Sequence, residues 1–219
     1  METLADGIYM FSNIVANQYL LVDDTGLTLI DTGLKSNYRT IVRGIQSIGH
    51  DLAELSNILI THADGDHCGA LSRLKQDTRA AAMTSKPEAD AIEAGTSSRE
   101  LKPTGALLTM VLRAGEPIFR AQPAKIDRML SPGDDLPVAG GMTVIDSSGH
   151  TPGHLSYFLP GSRILFSGDS IFLKKSGLIP SYGLNCWNET RAIESLENQM
   201  KLLPRLICGG HGIIRIGSR

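Results

Sequence analysis

This chain of 219 residues has few cysteines, no long apolar run and no recognisable targeting signal. Its three cysteines, Cys68, Cys186 and Cys208, are too few and too scattered for a disulfide framework, which favours a reducing compartment. No apolar run approaches the roughly 20 residues that span a bilayer. The first residues, METLADGIYMF, lack the basic start and long apolar stretch of a secretory signal. We therefore expect a cytoplasmic protein with no membrane segment.

An excess of charge of one sign is also absent. The chain has 21 Lys and Arg against 23 Asp and Glu, and no run of one sign stands out. An obligate nucleic-acid or membrane partner is therefore not expected, whereas a small-molecule substrate is. The length and the hydrophobic fraction of 42% suit a single domain over residues 1–219, and a homo-oligomer stays open.

Short apolar runs alternate with helical patterns along the chain. Residues 18–22 and 27–30 flank an Asp-Asp-Thr-Gly turn and predict a hairpin, as do 155–159 and 163–166. Hairpins mixed with helices favour an α/β (α+β) fold with sheets between helical layers. Further strands are predicted at 57–60, 81–83, 142–145 and 205–208, and helices near 41–48, 70–74, 85–94 and 189–203.

Residues 95–135 differ from the rest of the chain. They surround one apolar, helix-like segment at 106–112 with prolines that interrupt regular structure. We interpret the segment as a helical or loop insertion that lies over a site. The prolines are Pro103, Pro117, Pro123 and Pro132.

Four metal-ligand side chains fall within six positions, directly after the apolar strand at 57–60. They are His62, Asp64, Asp66 and His67. Imidazole and carboxylate suit zinc, iron and manganese. We expect a loop rather than a helix here, because a loop lets all four side chains converge and Gly65 lets it turn sharply. The ordinary alternative is a solvated polar turn that caps the next helix.

Three more candidates follow other predicted strands, each with a glycine directly before it. They are His150, Asp169 and His211. A glycine allows the backbone to approach a crowded site closely. Taken singly, His150 is typical of a turn histidine, Asp169 of a helix cap and His211 of a surface-loop residue. Together with residues 62–67 they predict a metal site.

The motifs resemble those of the metallo-β-lactamase superfamily. The family pattern is His-x-His-x-Asp-His, then a histidine, an aspartate and a final histidine at later strand ends. This chain resembles it from Ile30-Asp31-Thr32-Gly33 to Gly210-His211-Gly212. The resemblance implies a four-layer αββα sandwich with a binuclear metal centre along one sheet edge.

The resemblance also implies roles for the residues that match the pattern. His62 and His150 would bind the first metal, and Asp169 would bridge both. Asp31 would support the metal loop from behind, and His154 would be a structural neighbour rather than a ligand. The second metal would be bound by Asp66, His67 and His211.

Asp64 departs from the family pattern, which has its second histidine at this position. A similar variant occurs in nuclease-like domains associated with bacterial competence. Two divalent ions, Asp66, Asp169 and a bridging hydroxide sum to +1, and an ionised Asp64 ligand lowers this to zero. Oxygen in place of nitrogen moves metal preference toward manganese or iron. We expect two divalent ions, zinc first, with manganese or iron as alternatives.

The chemistry expected of such a centre is hydrolysis by a metal-bridging hydroxide, with Asp66 and Asp169 as catalytic carboxylates. We rank carboxylic ester, thioester or lactone substrates first. A phosphodiesterase or nuclease-like hydrolase, a single-iron persulfide dioxygenase-like oxidoreductase and a purely structural metal are the alternatives. Lys174, Tyr182 and Asn185 are candidate substrate contacts, and a solvated loop is their ordinary interpretation.

Overall fold

The computed structural model describes residues 1–12, 15–100, 119–175 and 177–216, and the structural statements below concern this part of the chain. Two large sheets, one two-stranded sheet and five α-helices organise it. The strands of the first sheet and the helices beside them are β1 (Glu2–Ala5), β2 (Ile8–Phe11), β3 (Gln18–Asp23), β4 (Gly26–Ile30), α1 (Tyr38–Ser47), β5 (Leu55–Leu59), α2 (Gly65–Cys68), α3 (Leu71–Asp77), β6 (Ala81–Thr84), α4 (Lys86–Ala94) and β7 (Arg128–Met129).

The remaining elements form the second sheet, a separate hairpin and one more helix. They are β8 (Asp135–Leu136), β9 (Met142–Asp146), β10 (Leu155–Leu159), β11 (Ile164–Gly168), β12 (Ile171–Lys174), β13 (Gly177–Pro180), α5 (Glu189–Lys201), β14 (Leu206–Gly209) and β15 (Gly212–Arg215).

The first sheet keeps its seven strands in chain order. Strands β1 to β4 are antiparallel, and β4 to β7 are parallel. The predicted hairpin is confirmed, because Asp23 pairs with Gly26 across the β3–β4 turn. The Asp23 carboxylate accepts the Thr25 N–H at 2.7 Å, and Gly26 has φ of +117°, which favours glycine.

The helix predicted at 85–94 is confirmed as α4. Ser85 precedes it in extended backbone, and Pro87 lies in the first turn, where a missing N–H costs nothing. Gly95 ends the helix with φ of +67°, and its N–H bonds the last carbonyls. The chain after Gly95 therefore turns back toward the edge of the sheet.

The second sheet has the strand order β15-β14-β11-β10-β9-β8. The predicted hairpin of β10 and β11 is confirmed, with Leu159 opposite Ile164. Strand β14 runs parallel to β11, so both strands end at the same edge. The predicted helix at 189–203 is α5, and the Asn188 side chain caps it by accepting the Arg191 N–H at 3.0 Å.

The two sheets pack face to face over a shared apolar core. Tyr19 and Leu59 from the first sheet meet Tyr157 and Phe166 from the second, and all four are buried. The outer face of the first sheet is covered by α1, α3 and α4, and that of the second by α5. This is the predicted αββα sandwich, with apolar side chains filling three layers between the helices.

Some elements differ from the sequence-based expectations. Seven strands of four residues or fewer were not predicted, since they are short and lack clear alternation. They are β1, β2, β7, β8, β12, β13 and β15. The segment predicted at 106–112 lies outside the described residues. The described parts of 95–135 add β7 to the first sheet and the start of β8 to the second. No helix in the described ranges is long and apolar enough to cross a bilayer.

Candidate metal centre

The ends of four strands bring the predicted ligands to one edge of the sandwich. His62 follows β5, His150 follows β9, Asp169 follows β11 and His211 follows β14. Their ligand atoms, with those of the 62–67 segment, form three groups in which all atoms lie within 4.8 Å of one another. The groups are His62, His67 and Asp169; His62, Asp64 and His150; and Asp66, His67 and His211.

The expectation that residues 62–67 form only a loop is wrong for the second half. Gly65–Cys68 is the helical turn α2, in which the Asp64 carbonyl accepts the N–H groups of His67 and Cys68. The expectation that Gly65 lets the chain turn sharply is also wrong, because its φ is not positive. A Cβ on Gly65 would instead overlap the carbonyl of Phe119, so the glycine provides space.

The hydrogen bonds of Asp31 determine which nitrogen of two histidines faces the centre. The Asp31 carboxylate accepts Nδ1–H of His67 at 2.8 Å, which leaves the Nε2 lone pair of His67 toward the site. Thr61 donates its hydroxyl to Asp31 at 2.9 Å, so that hydroxyl accepts from Nδ1–H of His62 at 2.9 Å. His62 therefore also turns its Nε2 lone pair inward.

The same reasoning applies to His150. The Ser181 hydroxyl donates to the Asn185 carbonyl at 2.6 Å and therefore accepts from Nδ1–H of His150 at 2.9 Å. His150 thus offers its Nε2 lone pair to the centre, where it lies 3.8 Å from an Asp169 oxygen. Three buried imidazoles are held as acceptors that point to one region, which is the arrangement that a cation requires.

His154 is held in the opposite way. Its Nε2 accepts the backbone N–H of Asp169 at 3.1 Å, so the lone pair that a metal would need is already used. Nδ1–H is then left to donate to the Ser147 hydroxyl at 2.7 Å. This geometry supports the interpretation of His154 as a structural neighbour that positions the Asp169 backbone.

Two glycines let the backbone close on the centre. Gly168 has φ of +47°, and a Cβ there would lie 2.8 Å from His154 Nε2. A Cβ on Gly210 would collide with the carboxylate of Asp169 and the ring of His67. A larger side chain at Gly168 would therefore displace His154, and one at Gly210 would displace two candidate ligands, Asp169 and His67.

Charges within the centre support one another. Burial alone would raise the pKa of Asp169, but His67 and His211 hold that pKa well below its usual range. Burial alone would lower the pKa of His67, but Asp169 and Asp31 raise it well above its usual value. A carboxylate that stays ionised and imidazoles that attract positive charge describe a site suited to a cation.

Three buried ligand atoms test whether a metal fits. His62 Nε2, His67 Nε2 and Asp169 Oδ1 meet no hydrogen-bond geometry with any described residue. A buried polar atom left unsatisfied costs about 1–3 kcal/mol. Because these two nitrogens and the carboxylate oxygen lie together in the group of His62, His67 and Asp169, a divalent cation satisfies all three, and the residues fit the metal that the motif implies.

Asp64 is held by partners that its position in the motif does not reveal. Its Oδ2 lies 2.7 Å from Arg99 Nη1, 3.2 Å from His150 Nε2 and 3.6 Å from His62 Nε2. Its Oδ1 accepts the Ser97 hydroxyl at 3.1 Å. Burial alone would raise the pKa of Asp64, but His150, His62 and Arg99 hold it well below its usual range.

The sequence analysis identified neither Arg99 nor Glu88, which lies on α4, as part of this site. Its carboxylate is fully buried and accepts the N–H of Ala63 at 2.8 Å, the N–H of Gly153 at 2.9 Å and the Ser98 hydroxyl at 2.7 Å. Ala63 lies between two candidate ligands and Gly153 lies three residues after His150. Glu88 therefore joins both ligand loops to the helix.

A cavity of about 700 Å³ opens above the ligands. Asn185, one of the three predicted substrate contacts, lies in its wall. Lys174 and Tyr182 are not among the described lining residues; Lys174 Nζ instead contacts the Tyr182 hydroxyl and lies 4.3 Å from its ring centroid. Described residues of the wall include Val15, Asp66, Thr96, Arg99, Phe119, Arg120, His150, Asp169, Asn185 and His211.

Relatives of known sequence place the chain among metallohydrolases. Residues 13–211 match the metallo-β-lactamase superfamily. The chain is 30% identical over 205 residues to the uncharacterized protein YobT of Bacillus subtilis, covering 90% of this chain and 82% of YobT. It is 32% identical over 168 residues to a hydroxyacylglutathione hydrolase of Rhodobacter capsulatus, covering 72% of this chain and 48% of that relative. The chain thus spans about half the length of that enzyme.

Solved structures show the same fold. BJP-1, a subclass B3 metallo-β-lactamase of Bradyrhizobium japonicum, has a TM-score of 0.72 and 22% identity, covering 96% of this chain and 76% of BJP-1. A metallo-β-lactamase family protein of Thermus thermophilus has a TM-score of 0.72 and 22% identity, covering 97% of this chain and 76% of that one. With the sequence match over residues 13–211, these findings establish that the chain belongs to the metallo-β-lactamase superfamily and is a metallohydrolase of that fold.

Proposed function

We propose that the chain hydrolyses a small carboxylic ester, thioester or lactone at a centre of two divalent metal ions, zinc first. The observation that carries the proposal is the arrangement of His62, His67 and His150. Each of these imidazoles has its Nδ1–H engaged and its Nε2 lone pair directed toward the ligand cluster around Asp169.

The ligand groups suggest how the side chains would be divided between two ions. His62, Asp64 and His150 would hold the first, and Asp66, His67 and His211 the second. Asp169 fits between them, because its Oδ1 lies 3.3 Å from His67 Nε2 of the second group and its Oδ2 lies 3.8 Å from His150 Nε2 of the first. Such a pair of ions supplies an acidified water as nucleophile and a Lewis acid for the scissile carbonyl.

The chain's own residues would bind and orient the substrate around those ions. Asp66 and Asp169 face the cavity as carboxylates and can hold or receive a proton at the reacting position. Asn185 lines the same cavity, and its side-chain amide can donate to an oxygen on which negative charge develops. The volume of about 700 Å³ suits a small molecule rather than a polymer.

A thioester ranks first among the three substrate classes because the Rhodobacter capsulatus relative is named hydroxyacylglutathione hydrolase. Its match covers 72% of this chain but only 48% of that relative. We therefore propose an acyl thioester as the substrate and do not assign its thiol portion to glutathione.

The test is a substrate panel on protein loaded with zinc, manganese or iron. Esters, lactones, a hydroxyacyl thioester of glutathione, a phosphodiester and a persulfide are assayed in parallel. We expect thioester or ester turnover that Asp169→Asn lowers by about 10²- to 10³-fold, since two charge-assisted contacts are lost. Asp127→Asn is the matched control, because Asp127 pairs with Lys75 away from the cavity.

Other results would contradict the proposal in distinct ways. Phosphodiester cleavage without ester or thioester turnover would identify a nuclease-like hydrolase. Oxygen consumption with a persulfide, at one iron per chain, would identify the oxidoreductase alternative. Full metal loading with no turnover of any substrate would favour a structural metal.

A further inference from the structure

Arg99 lies beside the ligand group of His62, Asp64 and His150, which is the first group. Asp64 stands where the common family pattern has a histidine, and Arg99 Nη1 lies 2.7 Å from its Oδ2. The same oxygen lies 3.2 Å from His150 Nε2 and 3.6 Å from His62 Nε2. A fixed cation thus shares the carboxylate oxygen through which this group would bind its metal.

The path of the chain after α4 makes this contact part of the fold. Gly95 turns the chain, and the next residues run along the metal loop. Ser97 donates to Asp64, Ser98 donates to Glu88, and the Arg99 side chain is 5% exposed. Ser97 and Ser98 therefore tie this part of the chain to the metal loop and to α4, and the Arg99 guanidinium is buried beside Asp64, unlike an exposed ion pair that exchanges freely with water.

We propose that Arg99 is a positioning residue that makes the two metal subsites unequal, so that the group of Asp66, His67 and His211 fills first and binds more tightly. In the first group the charge of Asp64 is cancelled by Arg99. Asp169, which would be shared by both ions, lies nearer to the second group: it is 3.3 Å from His67 Nε2 and 3.0 Å from His211 Nε2, against 3.8 Å from His150 Nε2. This inference rests on the two-metal centre of the proposed function.

Electrostatic repulsion gives the size of the effect. An ion bound to Asp64 Oδ2 would lie within roughly 5 Å of Arg99 Nη1, from the 2.7 Å contact and a metal–oxygen bond of about 2.1 Å. At that separation, the repulsion between charges of +1 and +2 would weaken metal binding by more than about tenfold, even with the full screening of water. Removing Arg99 would also let the Asp64 side chain move, which would weaken metal binding by roughly a few-fold. The loss of repulsion is the larger effect.

The experiment is a metal titration of chelator-treated protein. Stepwise dissociation constants for Zn²⁺ and Co²⁺ are measured against a chromophoric chelator, with the Co²⁺ absorption spectrum as a second readout. We expect two constants that differ by at least about tenfold in the wild type. Asp66→Asn should weaken the tighter constant, which assigns it to the second group.

Variants of Arg99 separate charge from structure. Arg99→Met should tighten the weaker constant by at least about tenfold and leave the tighter one within roughly twofold. Arg99→Lys keeps the charge and should keep the inequality, and Ser97→Ala, which breaks only the hydrogen bond to Asp64, should change neither constant by more than about threefold. Arg73→Met is the matched control, because Arg73 pairs with Asp77 on the surface of α3.

Two equal constants in the wild type would overturn the inference without any variant, which covers the case that Arg99→Met does not fold. Weakening of both constants in Arg99→Met and Arg99→Lys alike would also overturn it, since that pattern describes a structural role. The titration uses no substrate. A chain with two unequal metal sites and no hydrolytic activity would refute the proposed function and leave the inference intact.

Discussion

Replacing Glu88 by glutamine tests how the fold holds the metal loops. Glu88 is fully buried, and its Oε1 accepts the N–H of Gly153 while its Oε2 accepts the N–H of Ala63 and the Ser98 hydroxyl. A glutamine has one acceptor oxygen and one NH₂ group in place of two acceptor oxygens. Whichever way the amide is turned, at least one backbone N–H then faces another donor.

The cost follows from the hydrogen bonds that are lost. A hydrogen bond to a charged group contributes about 1.5–3 kcal/mol, and a buried donor left without an acceptor costs about 1–3 kcal/mol. We therefore expect Glu88→Gln to lower the free energy of unfolding by about 2–4 kcal/mol. For a domain of this size that corresponds to a melting temperature lower by roughly 5–15 °C. The affinity for the first metal should fall by about 10- to 100-fold, as for other residues that orient ligands.

The assay is urea unfolding of the metal-free protein together with a zinc titration of each variant. Glu93→Gln is the matched control, because Glu93 lies on the same helix and its carboxylate accepts one N–H, from Ile126 at 3.0 Å. The control should cost about 1 kcal/mol or less and leave zinc affinity unchanged. Equal losses of stability in the two variants, or unchanged zinc affinity in Glu88→Gln, would refute the reasoning.

Three further predictions concern the centre itself. His154→Ala should keep two metal equivalents by elemental analysis, because its Nε2 accepts the Asp169 N–H; loss of one equivalent would make it a ligand. Asp31→Asn should weaken zinc binding about 10- to 100-fold in a chelator competition, since His67 loses its orienting acceptor. The raised pKa of His67 stabilises the metal-free fold below about pH 6.5, and urea unfolding with chelator should show stability falling as pH rises above that value; a rise would contradict it.

Much of the fold could be predicted because its signals are local. The turn after Asp23 and the alternation around it define the β3–β4 hairpin, and the Ser85 and Gly95 boundaries define α4. The ligand segment at 62–67 was recognisable because four metal-binding side chains follow one apolar strand. Such patterns depend on neighbours in sequence, where backbone preference and hydrophobic spacing act directly.

The features that could not be predicted depend on contacts between distant segments. Nothing beside Gly65 shows that the Phe119 carbonyl will lie against its Cα. Glu88 has the sequence context of a solvated acid in a first helical turn, and only the approach of Ala63 and Gly153 explains its burial. Arg99 lies in a polar stretch where an arginine is usually a surface residue.

Asp64 shows why these distant contacts matter for chemistry. From sequence alone, an aspartate in place of a histidine adds one negative charge and lowers the formal charge of the centre from +1 to zero. Arg99 lies 2.7 Å from Asp64, and in the proposed two-metal centre its charge would return the sum to +1. The acidity of metal-bound water in that centre would then depend on Arg99 as well as on the residues of the motif. The aspartate and the arginine have to be considered as one unit, because either substitution alone leaves an unpaired charge beside His62 and His150.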